Sequence, residues 1–153
     1  DSFAWLRESF AGFGERLGCV LLSARGSMER DDAALERVLT AWPASMRLAL
    51  ELPHPSWDEE RVRRRVRAAG ATVVATDWDD RDEPTLDGRA AFVYLRLRRT
   101  AYEPADLERW TARIEPVLAR GADAYVFFRH DEDGAMALCA EGLLRQVVAS
   151  IRK

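Results

Sequence analysis

Two hydrophobic rhythms alternate along the chain. Residues 2–18 place Phe3, Leu6, Phe10, Phe13 and Leu17 at helical spacing, which predicts an amphipathic helix with Gly18 as its cap. The apolar run 19–24 has the length of a buried strand, and residues 25–30 form a loop. Asp31 or Asp32 then caps a helix carrying Leu35, Val38, Leu39 and Trp42, which Pro43 stops. A second strand spans 47–52, and Ser56 or Asp58 caps a helix over 58–69 that Gly70 ends. Strands follow at 72–77 and 92–98, separated by an Asp-rich loop with Pro84 and Gly88. Pro104 opens a helix running to about Arg120, with Leu107, Trp110, Ile114 and Leu118 inward and Gly121 at its end. A strand over 124–130 and a helix from Ala135 toward Ile151 complete the series.

Strands and helices in alternation imply a parallel sheet with right-handed crossovers. The open doubly wound sheet and the (β/α) barrel both fit that order. An open parallel sheet is covered on both sides and reads nearly all apolar. These strands do not. Val93, Leu95 and Leu97 form one face of the fourth, and Tyr94, Arg96 and Arg98 the other. Glu51, Asp77 and Arg129 likewise stand where their strands end. Ionic groups converging at C-terminal strand ends are what a barrel mouth holds. The reading is therefore α/β, a TIM-barrel-like fold with about five parallel strands, in a single domain over 1–153. A closed eight-strand barrel needs about 250 residues, so a partial barrel lacking N-terminal strands is expected.

One stretch concentrates chemistry. Residues 48–57 begin as an apolar strand and release Glu51, His54, Ser56 and Trp57 into a loop stiffened by Pro53 and Pro55. Proline fixes φ and removes a backbone donor, so the loop has a preset conformation.

Composition narrows the classes. With 48% hydrophobic and 32% charged residues among 153, the chain suits one globular domain. A net charge of −3 provides no global field for nucleic acid or anionic membrane. No run approaches the ~20 apolar residues of a membrane span. Cys19 and Cys139 sit in apolar surroundings without a CxxC, as expected of reduced thiols in a cytoplasmic protein. The basic run 61–67 follows the acids Asp58, Glu59 and Glu60, an order that complements the helix dipole and suits a solvated face. No HExxH, Cys cluster, GxGxxG or Walker loop occurs, so neither metal nor cofactor is expected.

Residues 49–57 (ALELPHPSW), together with Leu17-Gly18 and the strand behind it, Ala75-Thr76-Asp77, the run 92–97 and the run 124–131, resemble the DUF72 (YecE-like) family. The HPSW element after a strand ending in Glu is the most specific part. The resemblance implies a TIM-barrel-like fold, an uncharacterised activity, and family members that begin several strands earlier. Leu52-Pro53 stands where the family pattern has Phe-Arg, and the first strand ends in Ser23-Ala24-Arg25-Gly26 rather than a QLPP-like run. Arg96-Leu97-Arg98-Arg99 replaces Arg-Leu-His-Gly, and the last strand ends in Arg129-His130 rather than an Asn-rich run. These departures shift the expected pocket toward arginine.

Glu51, Asp77, Arg96, Arg98 and Arg129 are expected to form one inward set, with one positive charge left for an anionic ligand. The expected catalytic groups are Glu51, with His54 as its helper, and Asp77. Trp57, Tyr94, Arg96, Arg98, Arg129 and His130 are the expected substrate-binding groups. The corresponding function is acid–base chemistry on a small anionic or polyol substrate. A non-catalytic ligand-binding or nucleic-acid module through Arg61 to Arg67 is the alternative. Blander readings stand beside these: an internal ion-pair network, a histidine that locks its own loop, and a tryptophan that belongs to the core.

Overall fold

The computed structural model describes residues 2–151, with Ser2, Phe3 and Arg7 described by their backbone alone. The expected apolar contact of Phe3 lies outside the described residues. The chain divides between Val73 and Val74 into two compact units.

The first unit contains α1 (Ser2–Ala11), β1 (Val20–Ser23), α2 (Asp32–Ala41), β2 (Leu48–Glu51), α3 (Glu60–Ala68) and β3 (Thr72–Val73). Its strands form a parallel sheet in the order β1-β2-β3. Leu48 and Leu50 face the helices and pack with Leu35 and Leu39 of α2 and Val62 and Val66 of α3. Burying each such side chain contributes roughly 1.5–3 kcal/mol. Period 2 sends Ala49 and Glu51 to the opposite face.

The sequence sets the helix ends. Asp31, not Asp32, caps α2 by accepting the Ala34 amide at 2.9 Å. Neither Ser56 nor Asp58 caps α3. Residues Pro55–Trp57 instead make a 3₁₀ turn, and Glu59 stands at the α3 N-cap without a side-chain capping hydrogen bond. Gly70 supplies the expected stop, with φ +76 and the Ala71 amide reaching back to the Val66 carbonyl at 3.2 Å. The N-terminal helix is shorter than its apolar spacing predicts. It ends at Ala11, and a 3₁₀ turn over Gly14–Arg16 follows, with Gly14 at φ +52. Glycines at 12 and 14 weaken a helix that apolar period alone would continue to Gly18. Phe13 is exposed as a result.

The expected strand 72–77 is two strands. Thr72–Val73 pairs with β2, whereas β4 (Ala75–Asp77) opens the second unit and pairs with β5 (Phe92–Leu97). Next come α4 (Pro104–Ala119), β6 (Asp123–Phe128) and α5 (Ala135–Ile151), and the parallel order is β4-β5-β6. Ala75, Leu95 and Leu97 pack under Leu107, Trp110 and Ile114 of α4 and Leu143 and Val147 of α5. Glu103 and Asp106 form a reciprocal capping box at the start of α4, with Pro104 in its first turn. A Cβ at Gly142 would lie 3.3 Å from Leu107 Cδ1, so glycine permits the close approach of α5 to α4.

The fold is thus mixed α/β with two three-stranded parallel sheets, and no closed barrel is formed among the described residues.

Candidate functional site

The register of β4 on β5 separates residues that the sequence groups together. Ala75 lies opposite Leu95, Thr76 opposite Arg96, and Asp77 opposite Leu97. Leu95 and Leu97 are covered by helices, so Asp77 belongs to the covered face, not to the face of Arg96. The expected inward set loses this acid. Residues 72–77 carry no strongly apolar alternation, so hydropathy could not tell which parity faces the helices.

Asp77 is 0% exposed, and both of its carboxylate oxygens accept hydrogen bonds. Its Oδ1 accepts Arg99 Nε at 3.0 Å and its Oδ2 accepts the Tyr102 hydroxyl at 3.1 Å. The Arg99 amide donates in turn to the Tyr102 hydroxyl oxygen at 3.2 Å. Burial and the neighbouring Asp77 carboxylate push the Tyr102 phenol up, against the pull of the Arg99 amide. Asp79 adds a second tie, accepting the Thr100 amide at 3.0 Å. These contacts fix the loop that follows β5. Arg99 stood out in the sequence only as a departure from the family pattern, and Tyr102 not at all, because both lie past the strand, where period 2 gives no face.

The opposite face of the second sheet carries the rest of the set. Phe92, Tyr94 and Arg96 alternate with the helix-facing residues of β5, and Tyr125 and Phe127 do so in β6. Tyr94 stacks on Phe127 with ring centroids 5.0 Å apart and on Tyr125 at 6.3 Å. Phe92 meets Tyr125 edge-on at 5.8 Å. Arg96 lies opposite Phe127 in the register. Alternation continues past the strand ends, where the Arg98 amide bonds the Asp77 carbonyl and the Arg129 amide bonds the Leu97 carbonyl. Arg98 and Arg129 therefore follow Arg96 and Phe127 on this same face. The Arg98 guanidinium lies 5.9 Å from the Trp78 ring centroid. Among the described residues neither Arg98 nor Arg129 makes an ion pair. His130 is exposed beyond the strand end. Arginine is the residue type that best holds a planar or tetrahedral anion.

In the first unit, Glu51 is buried and accepts the Ser23 hydroxyl at 2.6 Å. The two residues are partners in the β1–β2 register, which puts both on the face away from α2 and α3. Ser23 was missed, although it is the residue that a parallel alignment of the two strands sets beside Glu51.

His54, Ser56 and Trp57 act as a fastener between loops. The Ser56 amide donates to His54 Nδ1 at 3.3 Å, and the Ser56 hydroxyl lies 2.9 Å from the same nitrogen. These contacts select the tautomer with its proton on Nε2. The Ser56 hydroxyl oxygen also accepts the Arg30 amide at 2.8 Å, and Trp57 Nε1 donates to the Met28 carbonyl at 3.0 Å. The loop after β2 thereby holds the loop after β1. The Trp57 ring is buried against the core and lines a mostly apolar hollow of about 160 Å³ with Leu22, Leu35 and Leu50.

The basic run on α3 is ion-paired. Arg61 bonds Glu59, Arg63 bonds Asp58 and Glu60, and Arg65 reaches Glu36 on α2. Among the described residues no group of three or more His, Cys, Asp or Glu is placed to hold a metal ion. No described helix is long and apolar enough to cross a membrane.

A family model described as "Protein of unknown function DUF72" matches residues 1–153. Two crystal structures of a DUF72 family protein from Enterococcus faecalis V583 are similar to this chain. One gives a TM-score of 0.77 at 16% identity and aligns over 99% of this chain and 68% of that one. The other gives 0.76 at 14% identity, over 95% and 64%. A DUF72 family protein from Thermotoga maritima MSB8 gives 0.70 at 21% identity, over 99% and 65%. The chain thus spans about two thirds of the length of these structures. None of the curated proteins matches it.

Proposed function

This chain belongs to the DUF72 family, and on that footing we propose that it is part of a TIM-barrel-like protein that takes a small anionic ligand at its C-terminal strand ends. The observation that carries this reading is the placement of Arg96, Arg98 and Arg129 on the face of the second sheet opposite the one packed by α4 and α5, with Asp77 on the packed face. An arginine-rich face without that carboxylate favours phosphate or carboxylate more strongly than a balanced network would. Trp78 and Tyr94 border the arginines as ligand-contacting aromatics. Isothermal titration with inorganic phosphate tests the reading. The Arg98→Ala/Arg129→Ala double variant should bind at least about tenfold more weakly, the loss expected on removing charge-assisted hydrogen bonds. Equal affinity in the two proteins would remove the anion site.

A separate element of the proposal lies in the first unit, where Glu51 is a buried carboxylate with the Ser23 hydroxyl at 2.6 Å. Within that unit Glu51 serves as a proton-transfer group, and Ser23 orients it. His54 serves by holding the loop beyond Glu51. Turnover of a metabolite mixture, followed by mass spectrometry, should stop in Glu51→Gln; retained turnover would take the proton-transfer role from Glu51. The nucleic-acid alternative gains little support, because arginines of the α3 run are matched by acids.

A further inference from the structure

The face that carries the arginines also carries an exposed aromatic ring, and the two together define a ligand class. Phe127 is 49% exposed, whereas Tyr94, stacked on it, is 8% exposed and Phe92 is 0% exposed. The aromatic series thus begins buried and ends open, at the end of β6 where Arg129 follows. One side of the Phe127 ring is taken by Tyr94, with an interplanar angle of 23°. Its cross-strand partner is Arg96. The Arg98 guanidinium carbon lies 5.9 Å from the Trp78 ring centroid, within cation–π range.

Building on the anion-site reading above, we infer that the ligand is a planar aromatic anion. Its ring stacks beside the Tyr94–Phe127 pair, and its phosphate or carboxylate is held by Arg98 and Arg129. Charge complementarity selects the anionic group, since neither of these arginines makes an ion pair among the described residues. Ring geometry selects the other half of the ligand. Offset stacking rewards a flat π-face beyond the area that it buries, and a saturated ring of equal size does not offer one.

Two matched pairs of probes test this inference: phenyl phosphate against cyclohexyl phosphate, and benzoate against cyclohexanecarboxylate. Each is titrated calorimetrically into the full chain, with inorganic phosphate alongside. The aromatic member of at least one pair should bind about three- to tenfold more tightly than its saturated counterpart. The pair that shows the preference identifies the anionic group. Phe127→Leu should erase most of that preference; its exposed position makes this an easily tolerated change, and circular dichroism verifies the fold. Equal affinity within both pairs, or a preference that Phe127→Leu leaves intact, overturns the aromatic class. Inorganic phosphate separates the two failures, because loss of its binding tells against the anion site itself, while phosphate binding without aromatic preference tells only against the ring.

Discussion

The Tyr102 hydroxyl donates to the Asp77 carboxylate at 3.1 Å, and both groups are buried. Asp77 is thereby committed to the loop after β5 rather than to a ligand. Asp77→Ala would leave Arg99, whose side chain is 23% exposed, with only its longer contact to Asp106 at 3.6 Å. We expect a loss of about 2–4 kcal/mol in urea unfolding, because a buried charge pair broken on one side is costly. Tyr102→Phe should cost less, about 1–2 kcal/mol. A stability change below a few tenths in both variants would show that the clamp does not hold the loop.

The fastener made by His54, Ser56 and Trp57 is open to a local test. Ser56→Ala removes the acceptor of the Arg30 amide. Stability should fall by about 1 kcal/mol, and amide exchange at Arg30 should accelerate while amides in β5 keep their rates. Unchanged exchange at Arg30 would contradict the proposed tie between the two loops.

Acid should loosen the start of α4. The Glu103 amide, joined by Arg109 and Arg99, holds the Asp106 carboxyl below its ordinary value of 3.8. A carboxyl lowered in the folded state contributes stability that is fully present above its unfolded pKa and is lost as pH falls through the folded one. The wild type should therefore exceed Asp106→Asn in stability at pH 7, and the gap should close as pH drops below about 4. Thermal unfolding at pH 7 and pH 3 measures it; a gap of constant size would exclude the charged cap.

Burial pushes the Cys19 thiol up to about 11. At pH 8 about one molecule in a thousand would carry the thiolate, against roughly a quarter for a free cysteine. Iodoacetamide should accordingly label Cys19 far more slowly than glutathione, as read by mass spectrometry. Labelling at the rate of glutathione would refute the raised thiol of half-buried Cys19.

Helix and strand positions were legible wherever hydrophobic period and an end signal agreed. Trp110 and Ile114 fix the inner face of α4, and Pro104 and Gly121 bound it, so its limits follow from the sequence within a residue. The N-terminal helix shows the opposite case. Its apolar spacing runs through Gly12 and Gly14, and local backbone preference prevails where burial supplies little. The residue types of the expected set were readable from the sequence, and strand alternation puts Arg96, Arg98 and Arg129 on one face. Asp77 was misplaced because Thr72, Val73, Val74 and Ala75 give no contrast between the two parities. Ser23, Arg99 and Tyr102 depend on register and loop course, which residue spacing does not encode.

Within each sheet every strand after the first pairs with the one that precedes it: β2 with β1, β3 with β2, β5 with β4 and β6 with β5. Among the described strands, β1 and β4 wait only for the next strand in the chain. Ser23 and Glu51 are 28 residues apart, an interval that a ribosome covers in a few seconds at roughly 5–20 residues per second. A helix forms in about a microsecond. Every crossover helix can therefore be in place before its strand arrives, and the sheets can grow in the direction of translation.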